Sequence, residues 1–311
     1  MKIVVVALLL LALSPLSLAA PRHAYTMVVP AANARSITFD VQEGDLIIRG
    51  DPAATSVHMR VSIDSYWLFK LGEAGILKKL IKVSGEGTPE LKIVTEIEPS
   101  WRNYGRAEYP IDFEVVVPSG AVLNIRDTSG KIEVSEIDSA VQVHDGSGTL
   151  AVRHVKGPLS IDKESGDVRV QDVLGTTTLA SRSGQLHFLR VGELNVTASD
   201  GNLGVIDAGS ARLVNKGGNI RVSGVKGSVH IDDDSGEIEV SQVGGDVHIR
   251  DTSGQIRASH VGALTIDDTS GDVVVDGARS VNIRTKESGQ VKLKNVAGEV
   301  NIPPGITLAR R

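Results

Sequence analysis

One glycine recurs at nearly constant spacing through the last two thirds of the chain, and this spacing restricts the fold more than any other feature. Eight of the ten members follow a serine, and the residues two, four and seven positions after each glycine are all apolar, as in Ile132, Val134 and Ile137. Such self-similarity predicts an array of stacked units. The ten members lie 17 or 18 residues apart: Gly130, Gly148, Gly166, Gly184, Gly201, Gly218, Gly236, Gly254, Gly271 and Gly289.

Each repeat contains two arms in which apolar and polar residues alternate, as Val229 and Ile231 do with their polar neighbours. This alternation and the many β-branched residues indicate strands and oppose helices. Because equivalent residues keep one register, stacked coils are favoured over hairpins. We predict an all-β fold, a parallel β-solenoid (β-helix) of about ten regular coils with two strands each, right-handed winding being favoured. A further glycine precedes the second arm in eight repeats: Gly157, Gly175, Gly192, Gly209, Gly227, Gly245, Gly262 and Gly298.

The chain begins with the features of a secretory signal peptide. Lys2 precedes the apolar run Ile3–Leu13, and small residues precede a cleavage site after Ala19. We therefore expect an exported protein, periplasmic or extracellular and cell-surface, although an uncleaved membrane anchor is an alternative. The predicted organisation is a signal peptide over 1–19, irregular coils over 20–120, the regular solenoid over 121–302 and a C-terminal tail over 303–311.

Residues 66–83 interrupt the strand pattern with apolar residues at helical spacing and lysines toward the end. We predict an inserted amphipathic helix that caps the apolar end of the first coil, the alternative being a helix that binds a partner or a membrane surface. Aromatic residues also cluster in a loop over 101–109. The candidate partner-binding residues are Trp67, Leu71, Lys78, Lys79, Trp101, Tyr104 and Tyr109.

A column of aspartates stands three positions before the repeated glycine in five coils: Asp127, Asp145, Asp233, Asp251 and Asp268. We interpret it as an outward-facing column whose carboxylates accept hydrogen bonds from the Ser-Gly turns. Calcium bound along Asp233, Asp251 and Asp268 is the less favoured alternative, because the glycine-rich turns of calcium-binding repeats are missing.

Charged residues of alternating sign form two further columns, which predict a solvated, self-complementary face. One column contains Asp232, Arg250, Asp267 and Arg284, and the other contains Arg221, Glu239 and Arg257. His230 and His248 stand on consecutive coils beside the first column. Since no third ligand with suitable spacing accompanies them, we predict no metal site there.

Several classes of function are disfavoured by composition and motifs. The net charge of −5 argues against nucleic-acid binding, and zero cysteines exclude disulfides and thiol nucleophiles. The sequence lacks a phosphate-binding loop and a Gly-x-Ser-x-Gly elbow, and the constant coil length leaves no loop to form a cleft. We therefore expect no enzyme, no catalytic residues and no cofactor.

The Ser-Gly-x-Ile/Val-x-Val units, preceded by Tyr-Pro-Ile-Asp-Phe-Glu-Val-Val-Val-Pro-Ser-Gly over 109–120, resemble the bacterial DUF4097 family. Residues 35–302 carry the resemblance, which extends to auto-transporter adhesin head domains. It implies a non-enzymatic, adhesin-like structural or interaction protein of the cell envelope, with a protein or surface glycan as partner. The alternative is a periplasmic scaffold or sensor partner that docks through helix 66–83 or loop 101–109. A carbohydrate-active β-helix enzyme is less favoured.

Overall fold

A computed structural model describes residues 23–63, 80–96, 110–304 and 306–310, and within these ranges the regular structure consists of strands apart from helical backbone at Leu80. The chain divides into two units, Met1–Gly157 and Pro158–Arg311. No helix within the described ranges is long and apolar enough to cross a membrane.

The first unit contains nine strands: β1 (His23–Pro30), β2 (Ser36–Asp40), β3 (Leu46–Asp51), β4 (Ser56–Ile63), β5 (Ile81–Ser84), β6 (Glu90–Thr95), β7 (Ile111–Pro118), β8 (Val122–Ile137) and β9 (Val141–Val155). The second contains β10 (Leu159–Ser165), β11 (Val168–Val173), β12 (Thr177–Ser183), β13 (Gln185–Ala198), β14 (Asn202–Asn215), β15 (Ile220–Ser223), β16 (Val229–Ser241), β17 (Val247–Ser270), β18 (Val273–Thr285), β19 (Gln290–Val296), β20 (Val300–Asn301) and β21 (Thr307–Arg310).

Parallel stacking in the first unit starts from the coil that β2 and β3 form. The two arms of β8 pair in parallel with β2 and with β3, so that Ile37 faces Leu123 and Leu46 faces Ile132. Strand β9 then pairs with β8 in the same direction, and Gly148 lies opposite Gly130. One sequence repeat is therefore one coil.

The opposite edge of that first coil is covered by strands from later in the sequence. Strands β6 and β7 pair in parallel with β2 and β3, so the β2–β3 coil lies between them and β8. Antiparallel strands then follow, since β5 pairs with β6, β4 with β7 and β1 with β4. Because these strands pair in the antiparallel direction, parallel stacking ends at this edge. The edge is therefore capped by strands.

The predicted helix over 66–83 is wrong at its C-terminal end. Residues Ile81 and Val83 belong to β5 and lie opposite Thr95 and Ile93 of β6. Ile81 is buried, whereas Lys82 is exposed. The alternation of Ile81, Lys82 and Val83 suits a strand at the sheet edge, and pairing with β6 overrides the helical spacing of the residues before it. Residues 66–79 lie outside the described residues.

The second unit repeats the parallel register coil after coil. Val229 lies opposite Val247 and Ile238 opposite Ile256, each pair one repeat apart. The aliphatic side chains of both arms fill the interior, and all four of these residues are no more than 1% exposed. Counted over both units, the repeats form about ten turns, which confirms the parallel β-solenoid. The right-handed winding stays a prediction.

The recurrent glycines occupy the bend between the two arms, and all ten have φ between +94° and +149°. A Cβ added at Gly236 would lie 2.0 Å from the carbonyl oxygen of Gly218 on the preceding coil. Both the left-handed backbone conformation and the closeness of the preceding coil therefore exclude residues larger than glycine here.

A second bend lies six residues after each recurrent glycine and was not predicted. Here non-glycine residues adopt the left-handed conformation with φ between 52° and 59° in eight coils: Glu136, His154, Asp172, Arg190, Asp207, Gln242, His260 and Asn295. Left-handed backbone is unfavourable for residues with a Cβ, so neighbouring coils must hold it in place.

The segment predicted as a C-terminal tail contributes a strand. Thr307–Arg310 form β21, which pairs in parallel with β19, with Thr307 opposite Gln290. Pro303 and Pro304 precede this strand rather than interrupting it.

Candidate functional site

The aspartate column faces the interior of the solenoid, and the expectation that it faces outward is wrong. Asp145 in the first unit and Asp233, Asp251 and Asp268 in the second are no more than 3% exposed. The sequence already contained the signal, because Val229, Ile231 and Asp233 alternate with outward residues, so Asp233 continues the inward row.

In the second unit the interior column continues on both sides of the aspartates. Asn215 precedes Asp233 and is 1% exposed, and Lys286 follows Asp268 and is 7% exposed. The register places Asn215 opposite Asp233, and Asp233 opposite Asp251. Sequence analysis missed both of these residues because neither is an aspartate.

Hydrogen bonds at the column are uneven. Lys286 Nζ donates to Asp268 Oδ2 at 2.5 Å and to the carbonyl oxygen of Gly271 at 2.6 Å. The amide of Ser253 donates to Asp251 Oδ1 at 3.2 Å, which is the turn capping expected from the sequence. Neither carboxyl oxygen of Asp233 has a partner with good hydrogen-bond geometry, and the amides of Asp234 and Ser235 stabilise its carboxylate only in part. Since a buried carboxylate with weak hydrogen bonds is costly, burial favours the protonated form of Asp233.

The electrostatics of the column agree with this geometry. Burial, followed by repulsion from Asp251, raises the pKa of Asp233 to about 7. Burial, followed by repulsion from Asp268, raises the pKa of Asp251 to about 6. Burial also raises the pKa of Asp268, against the opposing effect of the Lys286 ammonium. The column therefore holds protons that exposed aspartates would release.

On the exterior of the second unit, His230 and His248 stack with their ring centroids 4.7 Å apart and their planes 11° apart. His248 Nε2 lies 3.7 Å from Asp267 Oδ2 and 3.4 Å from Arg284 Nη2. Partial burial lowers the pKa of both imidazoles, helped by His248 at His230 and by Arg284 at His248. Both rings are therefore neutral near pH 7.

The charged column beside these rings pairs along the stack. Arg250 Nη1 lies 3.7 Å from Asp232 Oδ2, and Arg284 Nε donates to Asp267 Oδ1 at 2.9 Å. We call His230, Asp232, His248, Arg250, Asp267 and Arg284 the outer polar face. The charges of its two arginines and two aspartates cancel. With neutral imidazoles, the face therefore offers hydrogen-bond donors and acceptors and has no net charge.

The second predicted charge column is only partly formed. Arg221 Nε donates to Glu239 Oε2 at 3.0 Å. Arg257 instead pairs with Glu237, the residue two positions before Glu239. Within the described residues, no group of three or more histidines or acidic residues is placed to hold a metal ion.

A shallow groove in the first unit was not predicted. It lies on the outward side of β1, β4, β7 and β3 and has a volume of about 410 Å³. Its lining combines Ile47 and Val116 with Arg49, His58 and Arg60. The alternation of residues along each strand indicates which side chains face outward. It does not show that β4 pairs with β7, because the paired residues lie 48 to 58 positions apart in the sequence.

The predicted partner-binding residues Trp67, Leu71, Lys78, Lys79, Trp101, Tyr104 and Tyr109 all lie outside the described residues. Their role stays a prediction. Of the described residues around them, Ile63 at the end of β4 lies opposite Ile111 at the start of β7.

Comparisons with solved structures found chains that are distantly similar to this one. A candidate adhesin from Bacteroides fragilis is 12% identical and has a TM-score of 0.36, with 91% of this chain and 99% of that chain covered. A candidate cell adhesion protein from Clostridium sporogenes is 11% identical, with a TM-score of 0.35 and coverage of 58% and 100%. A candidate lipid-binding protein from Parabacteroides distasonis is 17% identical, with a TM-score of 0.33 and coverage of 90% and 97%.

The comparison with curated proteins found no match. The family model described as Toastrack DUF4097 matches residues 112–303, which is more than half of the chain and includes the whole regular repeat. The chain therefore belongs to the Toastrack DUF4097 family.

Proposed function

We propose that this chain is an exported, non-enzymatic, adhesin-like interaction protein of the bacterial cell envelope that binds through the outer polar face. The observation that supports the proposal is the in-register stack of His230 on His248 beside the Asp232–Arg250 and Asp267–Arg284 pairs. Parallel strands repeat at about 4.8 Å, so the same arm of successive coils forms a flat, periodic surface. Such a surface suits an extended partner.

The chemistry of the outer polar face narrows the partner. Its charges balance and its imidazoles are neutral near pH 7, so it offers hydrogen-bond donors and acceptors without strong attraction for polyanions. The His248 side chain is 26% exposed and His230 is half-buried, so the motion of both rings is limited. A neutral polar polymer fits these properties, and we favour a surface glycan or a polar protein surface of the envelope.

Export is supported by the sequence rather than by the fold. The apolar run after Lys2 precedes small residues, as in secretory signal peptides. A protein outside the cytoplasm commonly depends on disulfides, but this chain has no cysteine. The stacked aliphatic interior supplies an alternative source of stability.

Co-sedimentation tests the proposed binding. The purified protein is mixed with the washed envelope fraction of the producing bacterium, and the bound fraction is measured after centrifugation. We expect the wild-type chain to pellet with the envelope and the double variant His230→Ser, His248→Ser to lose most of its binding. Binding that is absent, or equal in both proteins, contradicts the proposal.

A matched control uses the other arm of the same coils. Arg221 and Glu239 also form an exposed ion pair between neighbouring coils, at 3.0 Å. The double variant Arg221→Ser, Glu239→Ser removes comparable polar surface without altering the outer polar face. It should bind as the wild type does.

The competing function, a periplasmic scaffold or sensor partner, predicts a different pattern. Binding would survive the change at His230 and His248 and would be lost in the double variant Trp101→Ala, Tyr104→Ala. Location separates the two functions as well. Digestion by protease added to intact cells supports adhesion, whereas release by osmotic shock alone supports the periplasmic role.

A further inference from the structure

Lys286 carries an amine into the interior of the second unit. Its side chain and that of Asp268 are both 0% exposed, and they lie one coil apart in the inward column. The Nζ atom lies 2.5 Å from Asp268 Oδ2 and 2.6 Å from the carbonyl oxygen of Gly271. The hydrogen bond to Gly271 holds the nitrogen beside the carboxyl group.

A second acid lies next to this pair. Asp251 belongs to the preceding coil, is 3% exposed and interacts electrostatically with both Asp268 and Lys286. Its Oδ1 accepts the amide of Ser253, while its Oδ2 and Asp268 Oδ1 have no hydrogen-bond partner. The column therefore contains an amine, a carboxyl group in contact with it, and a further carboxyl group one coil away.

The surroundings favour the neutral forms of the two carboxyl groups. The inward neighbours along the strands are aliphatic, including Ile249, Ile266 and Ile283, each no more than 1% exposed. An apolar interior disfavours separated charges. Burial raises the pKa of Asp251 to about 6 and also raises the pKa of Asp268. The reacting form of the pair is the one in which the proton of the 2.5 Å hydrogen bond lies on the Asp268 carboxyl group.

We propose that Lys286 and Asp268 join in an intramolecular isopeptide bond that links two neighbouring coils covalently. The lone pair of Lys286 Nζ attacks Asp268 Cγ and forms the C–N bond. One carboxyl oxygen then leaves with the electron pair of its C–O bond. It departs as water, having taken one proton from the nitrogen within the Lys286–Asp268 contact. An amine and a carboxylic acid thus become an amide and one water, with no change in oxidation state.

The bond replaces a buried ion pair by a neutral amide. This removes two charges from the interior and leaves Asp233 as the remaining buried carboxyl neighbour of Asp251. It also ties the coil that contains Asp268 to the one that contains Lys286, close to the end of the regular repeat. The chain uses no disulfide, so this bond is a covalent link available to a protein without cysteine.

Intact mass spectrometry of the purified full chain, after denaturation, tests the proposal. The wild-type protein should be lighter by one water molecule than its sequence requires, and a proteolytic digest should contain a branched peptide that joins Asp268 to Lys286. The variant Lys286→Met should have the full calculated mass. The control variant Lys294→Met should keep the loss of water, because Lys294 is exposed and its Nζ lies 3.9 Å from Asp276 Oδ2.

A wild-type chain at its full calculated mass would overturn the bond, and so would a loss of water that persists in Lys286→Met. The mass and the branched peptide are both measured on the wild-type protein. The proposal can therefore be tested even if a variant fails to fold.

Discussion

Arg190 lies one coil after Asp172, and its guanidinium donates two hydrogen bonds to that carboxylate, from Nε at 2.6 Å and from Nη2 at 2.9 Å. Both residues have left-handed backbone, with φ of 52° and 56°. In the first unit, His154 Nδ1 similarly lies 2.8 Å from Glu136 Oε1, between two residues with the same backbone conformation. Ladders of polar side chains thus accompany a bend whose left-handed backbone is strained for these residues and would be unstrained for glycine.

The strain at this bend predicts an unusual response to substitution at Gln242, whose φ is 55°. Gln242→Gly should raise the free energy of unfolding by about 0.5 kcal/mol, because relief of the left-handed strain exceeds the entropy cost of glycine. Gln242→Val should lower it by about 1–2 kcal/mol, because a β-branched residue resists this conformation. Urea titrations give both values. Equal stability of the glycine and valine variants would show that the bend is unstrained.

The recurrent glycine should tolerate no side chain. Gly236→Ala should lower the free energy of unfolding by more than about 2 kcal/mol, since its Cβ would meet the Gly218 carbonyl oxygen and φ is +134°. Gly217 is the matched control, because its Cβ would lie 3.7 Å from the nearest atoms, an ordinary contact. Gly217→Ala should therefore change the melting temperature little. A similar loss in both variants would contradict the role of the recurrent position.

Side chains on the first arm satisfy backbone amides of the following coil. Asn202 Oδ1 accepts from the amide of Asn219 at 2.8 Å, and Asn219 Oδ1 accepts from the amide of Glu237 at 3.0 Å. Asn219→Ala should lower the free energy of unfolding by about 1 kcal/mol, because the Glu237 amide loses its acceptor. In Asn195→Ala only a bond to Glu193 within the same coil is lost. That control should be nearly neutral in the same thermal melt.

The buried carboxyl groups predict that the second unit loses stability as pH rises. The pKa of Asp233 is about 7 in the folded chain and 3.8 in an exposed aspartate. Between these values the folded state binds the proton and the unfolded state does not, so the contribution of Asp233 to stability is fully present below about pH 4 and is lost as pH rises through 7. The lowered pKa values of His230 and His248 act in the opposite direction below pH 6.5.

Asp233→Asn isolates the carboxyl contribution, because it keeps the shape and removes the titration. The difference in unfolding free energy between the wild type and this variant should decrease from pH 4 to pH 8. Denaturant titrations across that range measure the difference. A difference that grows with pH, as for a salt-bridged aspartate, would show that Asp233 is ionised in the folded state.

The glycine spacing was sufficient to predict the parallel coils, because only stacked repeats keep one register over ten members. The aspartates were wrongly predicted to face outward because charged side chains are usually exposed. Strand alternation indicates the opposite, since Asp233 continues the inward row of Val229 and Ile231. The left-handed bend at Gln242 has no single residue type to mark it. The cap escaped prediction because β4 and β7 pair across a long sequence separation, which periodicity does not report.

The central claim, that the outer polar face contacts the envelope, is tested most directly by site-specific photo-cross-linking in living cells. A photoreactive side chain is placed at Arg250, on that face, or at Arg221, on the other arm of the repeat. We predict cross-links to an envelope component from position 250 and none from position 221. Cross-links from position 221 alone, or from neither position, would contradict the claim.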